Sequence, residues 1–198
     1  CYFIPEPTDK QYDGEKSIIS PDIMLLLNEI HNRGHEIGIH PGYNTYMNSI
    51  NMEKSVKTFR HALKVCGIKQ SLVGGRQHFL RWTAPTTALL WENNDLDYDS
   101  TLCFADHPGF RCGTCFEYSM FDPIEQKSLR LRQRPLILME TSIIAEHYLG
   151  LGYSESALVL MKKYRETCYK FGGCFCLLWH NSHFKNEKDK KFYQELVV

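Results

Sequence analysis

Two histidines from distant parts of the chain each close an apolar segment and stand directly before a loop signal. His40 ends residues 35–40, and His180 ends residues 174–180. Alternate residues of a strand share a face, and a parallel sheet keeps its functional groups beyond the carboxyl ends of its strands. Histidine can act near neutral pH as a general acid, a general base or a metal ligand. We therefore predict functional roles for His40 and His180; the competing interpretation of each is a structural or surface-loop histidine.

A third polar segment, residues 75–82, combines arginine and histidine with aromatic residues. If it is an extended strand, Arg76 and His78 lie on one face and Arg81 on the other. The guanidinium group of an arginine at a strand end can hold a carboxylate or another anion through its fork of donors. The later residues 97–111 are dense in Asp, His, Arg and Gly and lack periodicity, which is typical of active-site loops.

Eight cysteines raise the question of thiol chemistry. The spacing Cys112-Gly113-Thr114-Cys115 is that of a redox pair or of half a structural zinc site, but no second such pair follows. Several cysteines lie in apolar stretches, which favours buried thiols in a reducing cytoplasm. We therefore expect buried, reduced thiols and a cytoplasmic location.

Composition excludes several classes of protein. The 198 residues carry 23 Lys and Arg against 23 Asp and Glu, so the chain lacks the basic surplus of a nucleic-acid-binding protein. No apolar run approaches the roughly 18 residues that a membrane-spanning helix needs. The sequence opens at Cys1 without an initiator Met, and we expect it to be a processed or truncated piece of a longer chain.

The elements that must position these residues alternate between strands and helices, which indicates an α/β fold with a mainly parallel sheet, either an open sheet or an incomplete α/β barrel. Periodicity and capping residues predict helices over 20–34, 52–66, 85–94, 154–171 and 185–198. Strands are predicted at 2–4, 35–40, within 73–82, at 97–104, 134–139 and 174–180.

Four motifs, in chain order and spanning nearly the whole sequence, resemble a known family. Gly34–His40 (GHEIGIH) resembles the second motif region of the polysaccharide deacetylases, carbohydrate esterase family 4. Tyr98–Leu102 (YDSTL), Gly109–Thr114 (GFRCGT) and Leu178–Asn181 (LWHN) resemble a bacterial branch found among surface-polysaccharide genes. The resemblance implies one domain over residues 1–198, built as a distorted parallel (β/α) barrel of about seven strands. It also implies a hydrolase that removes acetyl groups from N-acetylated sugars by means of a divalent metal, often zinc.

The resemblance also assigns roles to single residues. His40 matches the first metal ligand, and His180 matches the acid that protonates the leaving amine. Arg81 matches the arginine that orients the catalytic base, and Asp99 matches the fourth motif. As substrate contacts we expect four residues near these motifs: Trp82, Arg111, Trp179 and Asn181.

The sequence also departs from the family pattern. Asn44 stands where the second metal histidine is expected, and an amide oxygen is a weaker zinc ligand than imidazole. We therefore expect weak zinc binding or none, with His107 and His183 as candidate substitutes. The paired aspartates of the family belong to a strand before Tyr2, so we expect that strand upstream of Cys1 and expect this chain to be inactive alone.

Three functional hypotheses follow. The retained His40, Arg81 and His180 favour a deacetylase, whereas Asn44 favours a non-catalytic carbohydrate-binding or scaffold protein of the same fold. The third hypothesis, a thiol oxidoreductase that uses Cys112 and Cys115, requires one thiol with a lowered pKa.

Overall fold

The computed structural model describes residues 1–197, which form six helices and eight short strands. The helices are α1 (Pro21–Asn32), α2 (Ser49–Val65), α3 (Thr86–Asn93), α4 (Glu140–Ile144), α5 (Glu155–Lys170) and α6 (Glu187–Val197). The strands are β1 (Tyr2–Phe3), β2 (Gly38–Ile39), β3 (Gly74–Gly75), β4 (Tyr98–Asp99), β5 (Tyr118–Asp122), β6 (Lys127–Gln133), β7 (Leu138–Met139) and β8 (Leu177–Leu178). Contacts divide the chain into two units: the first is Cys1–Thr101 with Tyr118–Gln133, and the second is Leu102–Glu117 with the chain from Arg134 onward.

The first unit is built on one sheet in the order β1-β2-β3-β4-β6-β5. Neighbouring strands from β1 to β6 are parallel, and β5 pairs antiparallel with β6. Parallel neighbours need a crossover connection, and α1, α2 and α3 lie in the three connections that join β1 to β4. The helices bury Leu27, Phe59 and Trp91 in one apolar cluster with Ile39 of the sheet.

Local sequence explains where the helices of the first unit begin and end. Pro21 occupies the first position of α1, where its missing N–H costs no hydrogen bond. Gly34 follows that helix with φ +79°, a conformation that favours glycine. Helix α2 begins where the side chain of Asn48 accepts a hydrogen bond from the backbone N–H of Asn51 at 3.0 Å.

The second unit contains the parallel pair β7 and β8, with Leu138 opposite Leu177 and Met139 opposite Leu178. Helix α4 follows β7 without an intervening loop, so its first residue, Glu140, stands at the carboxyl end of the strand. Helices α4, α5 and α6 pack around an apolar cluster. Its fully buried members are Leu138, Ile143, Ala157, Met161 and Leu196.

The structure confirms the predicted α/β class with mainly parallel strands and the five predicted helices, each within three residues at its boundaries. Residue 198, at the end of the last predicted helix, lies outside the described residues. The strand predicted within residues 73–82 is Gly74–Gly75, and His78–Leu80 after it form a 3-10 turn. Alternation therefore does not apply to Arg76, His78 and Arg81.

Two elements were not predicted at all. The first is the hairpin of β5 and β6, for which no strand is predicted. The second is helix α4, which follows β7 directly. The predicted strands 35–40 and 174–180 shrink to Gly38–Ile39 and Leu177–Leu178, but His40 and His180 do follow their carboxyl ends. A seven-stranded barrel and a single domain over the whole chain stay predictions. Within residues 1–197, no helix combines the length and apolar character needed to cross a bilayer.

Candidate functional site

Three neighbouring strands of the first unit end in register at one edge of the sheet. Ile39 pairs with Gly75, and Gly75 pairs with Asp99. The next residues along the chain, His40, Arg76 and Ser100, therefore leave the sheet side by side. A Cβ at position 75 would overlap the carbonyl group of Ile39, so the close approach of these strands requires glycine there.

His40 and His78 contact each other through ring nitrogens at this edge. His40 Nε2 lies 2.9 Å from His78 Nδ1, and the ring planes meet at 82°. The outer nitrogens face backbone carbonyls: His40 Nδ1 lies 2.6 Å from the oxygen of Arg76, and His78 Nε2 lies 3.0 Å from that of Tyr12. The two imidazoles are thus held edge to face by the chain itself.

Strained backbone follows His78. Phe79 and Leu80 have φ values of 54° and 52°, a left-handed conformation that is uncommon for residues other than glycine and that concentrates at functional sites. The ring of Phe79 is 58% exposed and meets Tyr12 and Tyr43 edge to face, with ring centres 5.1 and 5.3 Å apart. These three rings form an aromatic surface beside His78.

Arg81 and Asn44 bind each other and the neighbouring loop. Arg81 donates to the carbonyl of Tyr43 at 2.8 Å, to Oδ1 of Asn44 at 3.3 Å and to the hydroxyl of Tyr46 at 2.8 Å. Its guanidinium also lies over both tyrosine rings, 3.9 and 4.0 Å from their centres. The Asn44 amide donates to the carbonyl of Thr8 at 3.2 Å. Arg81 therefore holds the loop at Tyr43–Tyr46 in place. Both polar atoms of the Asn44 amide are engaged in hydrogen bonds.

Asp99 is fully buried and is held by its own strand end. The backbone N–H of Thr101 donates to Oδ2 at 2.8 Å, and the Thr101 hydroxyl donates to Oδ1. Burial raises the pKa of Asp99 to about 7, although the bonds from Thr101 and the charge of Arg76 oppose the rise. Arg76 itself is buried and donates from Nε to the carbonyl of Ser100 at 2.7 Å. The charge of Arg76 acts on this buried carboxylate, and the role of Arg81 in orienting the catalytic base stays a prediction.

The second unit contains a carboxylate–histidine pair at the carboxyl ends of β7 and β8. His180 Nδ1 lies 2.5 Å from Oε1 of Glu140, and the backbone N–H of His180 donates to the same oxygen at 2.9 Å. The Glu140 side chain is completely buried, whereas that of His180 is 47% exposed. The carboxylate therefore fixes the ring through Nδ1 and leaves Nε2 for proton transfer.

Glu140 has spare capacity as an acceptor. Its Oε2 is buried without a hydrogen-bond partner among residues 1–197. The Nδ1 atom of His183 lies 3.2 Å from Oε1 but is not aligned for a hydrogen bond. A buried oxygen without a hydrogen-bond partner is costly, and a catalytic role is one explanation for such a group in a native structure.

The remaining predicted residues take structural or surface positions. Trp82 packs against the apolar cluster of the first unit, and Trp179 against that of the second. Arg111 donates to the carbonyl of Cys103 at 2.7 Å, and Asn181 begins an exposed 3-10 turn. His107 pairs with Asp106 at 2.7 Å on the surface. Their predicted roles as substrate contacts or substitute ligands stay predictions.

The two cysteines Cys112 and Cys115 lie in different environments. Cys115 is buried in an apolar cluster with Cys168, whereas Cys112 is partly exposed, and both are free thiols. Burial and the neighbouring Cys115 raise the pKa of Cys168 to about 12. That raised pKa belongs to Cys168, so the thiol-redox hypothesis for Cys112 and Cys115 stays a prediction.

Residues 1–197 do not bring three His, Cys, Asp or Glu side chains together in a way that could hold a metal ion. His40 and His180, predicted to share one rim, belong to different units, and that expectation stays a prediction. Sequence reasoning missed Glu140, although an acidic residue directly after the apolar run 135–139 is the signal that could have shown it. It also missed the contact between His40 and His78, for which no spacing rule exists.

The fold has a counterpart among solved structures. A crystal structure described as a "putative polysaccharide deacetylase" from Mycobacterium smegmatis superposes with a TM-score of 0.62 at 20% identity. The match covers 91% of this chain and 61% of that one, so this chain spans about three fifths of its length. No protein-family model and no curated protein matches the chain. At this identity the comparison shows a shared fold, that of a deacetylase-like α/β protein.

Proposed function

We propose that this chain is a deacetylase of the polysaccharide deacetylase type, which hydrolyses the amide bond of N-acetylated sugars in a surface polysaccharide or its precursor. The observation that carries the proposal is the pairing of His180 with the buried carboxylate of Glu140 at 2.5 Å. The fold shared with the mycobacterial structure and the four sequence motifs support it. A bacterial origin and a cytoplasmic location stay predictions.

Amide hydrolysis needs a proton at the leaving nitrogen. Water adds to the carbonyl carbon, the C–N bond breaks, and acetate and an amine form; the amine leaves poorly unless its nitrogen is protonated as the bond breaks. His180 is the proposed donor, because Glu140 holds its ring through Nδ1 and leaves Nε2 for proton transfer. Proton donation of this kind contributes roughly 10²–10⁴-fold to the rate.

A divalent metal such as zinc would polarise the carbonyl group and activate the attacking water. His40 fits the role of a metal ligand, since its Nδ1–H donates to a backbone carbonyl, the outer contact that metal-bound histidines usually make. Asn44 does not fit, because Arg81 and Thr8 use both atoms of its amide. The described residues supply fewer than three ligands of the usual kinds.

The aromatic surface of Tyr12, Tyr43 and Phe79 is the proposed sugar-binding surface. Flat aromatic faces bury the apolar face of a pyranose ring, and Phe79 is exposed next to His78. Trp82 and Trp179 are partly buried and pack against the two apolar clusters. The aromatic surface is therefore proposed in addition to the predicted contacts with the two tryptophans.

Acetate release tests the proposal. The full-length protein, supplemented with zinc, is incubated with an N-acetylglucosamine oligomer, and acetate is measured for the wild type, for His180→Ala and for His147→Ala. His147 is an exposed histidine of the same unit and serves as the matched control. We expect release by the wild type and the control, and a loss on the order of 10²–10⁴-fold in His180→Ala with zinc content unchanged. Equal rates in all three proteins would reject the acid role.

A non-catalytic carbohydrate-binding protein of the same fold is the second candidate. It is favoured by the small number of metal-binding groups that residues 1–197 bring together. It predicts that the oligomer binds with no acetate release by any variant, and that Phe79→Ala weakens binding.

A further inference from the structure

We propose that His183 is a further sugar-binding residue, held at Nδ1 by the carboxyl group of Glu140 and presenting Nε2 to a hydroxyl group of the N-acetylated sugar. The inference deepens the proposed function and rests on it for the identity of the ligand. It depends on three features of the second unit: two buried polar atoms without partners, the backbone bonds that hold His183, and the aromatic residues beside it.

Two buried polar atoms beside His180 lack a hydrogen-bond partner among residues 1–197. They are Oε2 of Glu140 and Nδ1 of His183. The same Nδ1 lies 3.2 Å from the other oxygen of that carboxyl group, Oε1, without being aligned for a hydrogen bond. Leaving both atoms unpaired is costly, and a small rotation of the imidazole or of the carboxyl group pairs them. Glu140 is therefore placed to hold two histidines.

The hydrogen bonds of Glu140 are unevenly distributed over its two oxygens. Oε1 accepts from the backbone N–H of His180 at 2.9 Å and lies 2.5 Å from Nδ1 of the same residue. The hydroxyl of Thr141 also donates to Oε1, at 3.3 Å. Oε2 has capacity for a further donor, and His183 brings an unused Nδ1 to this carboxyl group.

The backbone around His183 holds its ring near the carboxyl group. Asn181–His183 form a 3-10 turn, in which the N–H of His183 donates to the carbonyl of His180 at 3.0 Å. The hydroxyl of Tyr153 donates to the carbonyl of His183 at 3.3 Å. The ring centres of the two histidines are 5.8 Å apart, with their planes at 48°. Two imidazoles at that separation can contact different groups of one sugar residue.

The ring of His183 is placed so that Nε2 can meet a ligand. Nδ1 is buried, whereas the side chain as a whole keeps 28% of its surface exposed. A partner at Nδ1 fixes the ring and leaves Nε2 for a second bond. A sugar hydroxyl both donates and accepts hydrogen bonds, so it can pair with Nε2 whether or not that nitrogen carries hydrogen.

Aromatic rings lie beside the histidine turn. Phe184 directly follows His183, is 37% exposed and stacks on Trp179, with ring centres 6.1 Å apart and planes at 23°. Flat aromatic rings bury the apolar face of a pyranose, while polar groups nearby fix its orientation. His183 and Phe184 thus provide a polar and an apolar contact side by side, a combination that suits a sugar.

Conservative replacements of His183 test the proposal, because each retains one end of the imidazole. The amide of asparagine reaches the position of Nδ1, and the amide of glutamine reaches the position of Nε2. Calorimetry measures binding of an N-acetylglucosamine oligomer to the full-length protein for the wild type, His183→Ala, His183→Asn and His183→Gln. Ser182→Ala, at an exposed position of the same turn, is the matched control.

We expect His183→Ala and His183→Asn to bind the oligomer about 2- to 12-fold more weakly than the wild type, the loss of one hydrogen bond. His183→Gln and Ser182→Ala should bind like the wild type. Rescue by asparagine but not by glutamine would show that His183 only supports Glu140 and would overturn the proposal. Equal affinities in all five proteins, or no binding by the wild type, would overturn it as well. A loss of bound zinc in His183→Ala would instead make His183 a metal ligand and reject its role as a sugar contact.

A second measurement removes the dependence on folded variants. Long-range ¹H–¹⁵N spectra of the wild-type imidazoles, recorded as the oligomer is added, should show a shift at Nε2 of His183. An Nε2 signal that stays in place at saturating oligomer would refute the contact.

The two proposals fail separately. Oligomer binding that depends on His183, without acetate release by the wild type, refutes the deacetylase and keeps the sugar contact. Acetate release by the wild type, with unchanged oligomer affinity in His183→Ala, refutes the sugar contact and keeps the deacetylase.

Discussion

His40 and His180 both follow the carboxyl end of a two-residue parallel strand, but their Nδ1 atoms face different partners. His40 meets the backbone carbonyl of Arg76 at 2.6 Å, and His180 meets the buried carboxylate of Glu140 at 2.5 Å. A carbonyl oxygen can only accept a hydrogen bond, so it fixes the Nδ1–H tautomer of His40. The carboxyl group of Glu140 fixes the ring of His180 through Nδ1 and leaves Nε2 for proton transfer. The same residue at the same kind of place thus acquires two chemistries from its partner.

The buried carboxylates of the two units differ in the same way. Asp99 is bonded by Thr101 on both oxygens and lies near Arg76. Glu140 is bonded by His180 on one oxygen, and its other oxygen lacks a described partner. The first carboxylate is arranged to stabilise a strand end, and the second is arranged to act on a histidine.

The largest effect expected from this contrast is on stability. The pKa of Asp99 is about 7 in the folded chain against an ordinary 3.8, so the folded state favours the protonated form. The contribution of protonated Asp99 to the free energy of unfolding is complete below about pH 4 and is lost as the pH rises to about 7. Relative to Asp99→Asn, the free energy of unfolding of the wild type should fall by on the order of 4 kcal/mol across that window. Urea unfolding of both proteins at several pH values measures it, and parallel pH curves would contradict it.

Glu140→Gln separates hydrogen bonding from shape in the second unit. The amide keeps the size of the side chain but removes one of the two carboxyl oxygens that can accept a hydrogen bond from His180. We expect kcat for acetate release to fall by about 10–100-fold with zinc affinity unchanged, as is usual when the partner of a functional histidine is removed. A loss of zinc instead would make Glu140 and His180 part of a metal site and would erase the contrast with His40.

Arg81→Lys tests whether the arginine predicted to be catalytic is structural. Lysine cannot reproduce the forked bonds to Tyr43 and Tyr46 or the stacking on their rings. The expected result is a loss of about 2 kcal/mol in the free energy of unfolding, with kcat within a few-fold of the wild type. Thermal unfolding and acetate release decide the point; a large fall in kcat at unchanged stability would restore the catalytic assignment.

The smallest expected effect is on substrate affinity. Phe79→Ala removes the exposed ring from the aromatic surface, and aromatic stacking is worth about 0.5–1.5 kcal/mol. KM for the N-acetylated oligomer should therefore rise by about 3- to 10-fold with kcat and zinc affinity unchanged. Exposed Phe121, on the hairpin, provides the matched control; an equal change in Phe121→Ala would show that the effect is not local.

The sequence predicted what local chemistry determines. Capping at Asn48 and Ser154 and glycine after α1 fix the helices, and the positions of His40 and His180 at strand ends follow from the loop signals after them. What it could not predict depends on contacts between distant residues. The hairpin strand β6 alternates buried Leu129 and Leu131 with the exposed charges of Arg130 and Arg132, so it lacks the apolar run that predicted the other strands. His78 contacts His40 from a turn in which Phe79 is left-handed, and no residue type announces such a turn.

The chain passes from one unit to the other after residues 101, 117 and 133. During synthesis, β4 therefore emerges before its neighbour β6, and residues 102–117 of the second unit are made between them. One side of β4 therefore stays unpaired until the ribosome has synthesised the hairpin. Until then the nascent first unit has an exposed strand edge, and exposed edges promote misfolding and aggregation. Every single cut in the chain leaves at least one of the two units incomplete. Limited proteolysis should accordingly yield nicked molecules that stay associated, rather than two separable halves.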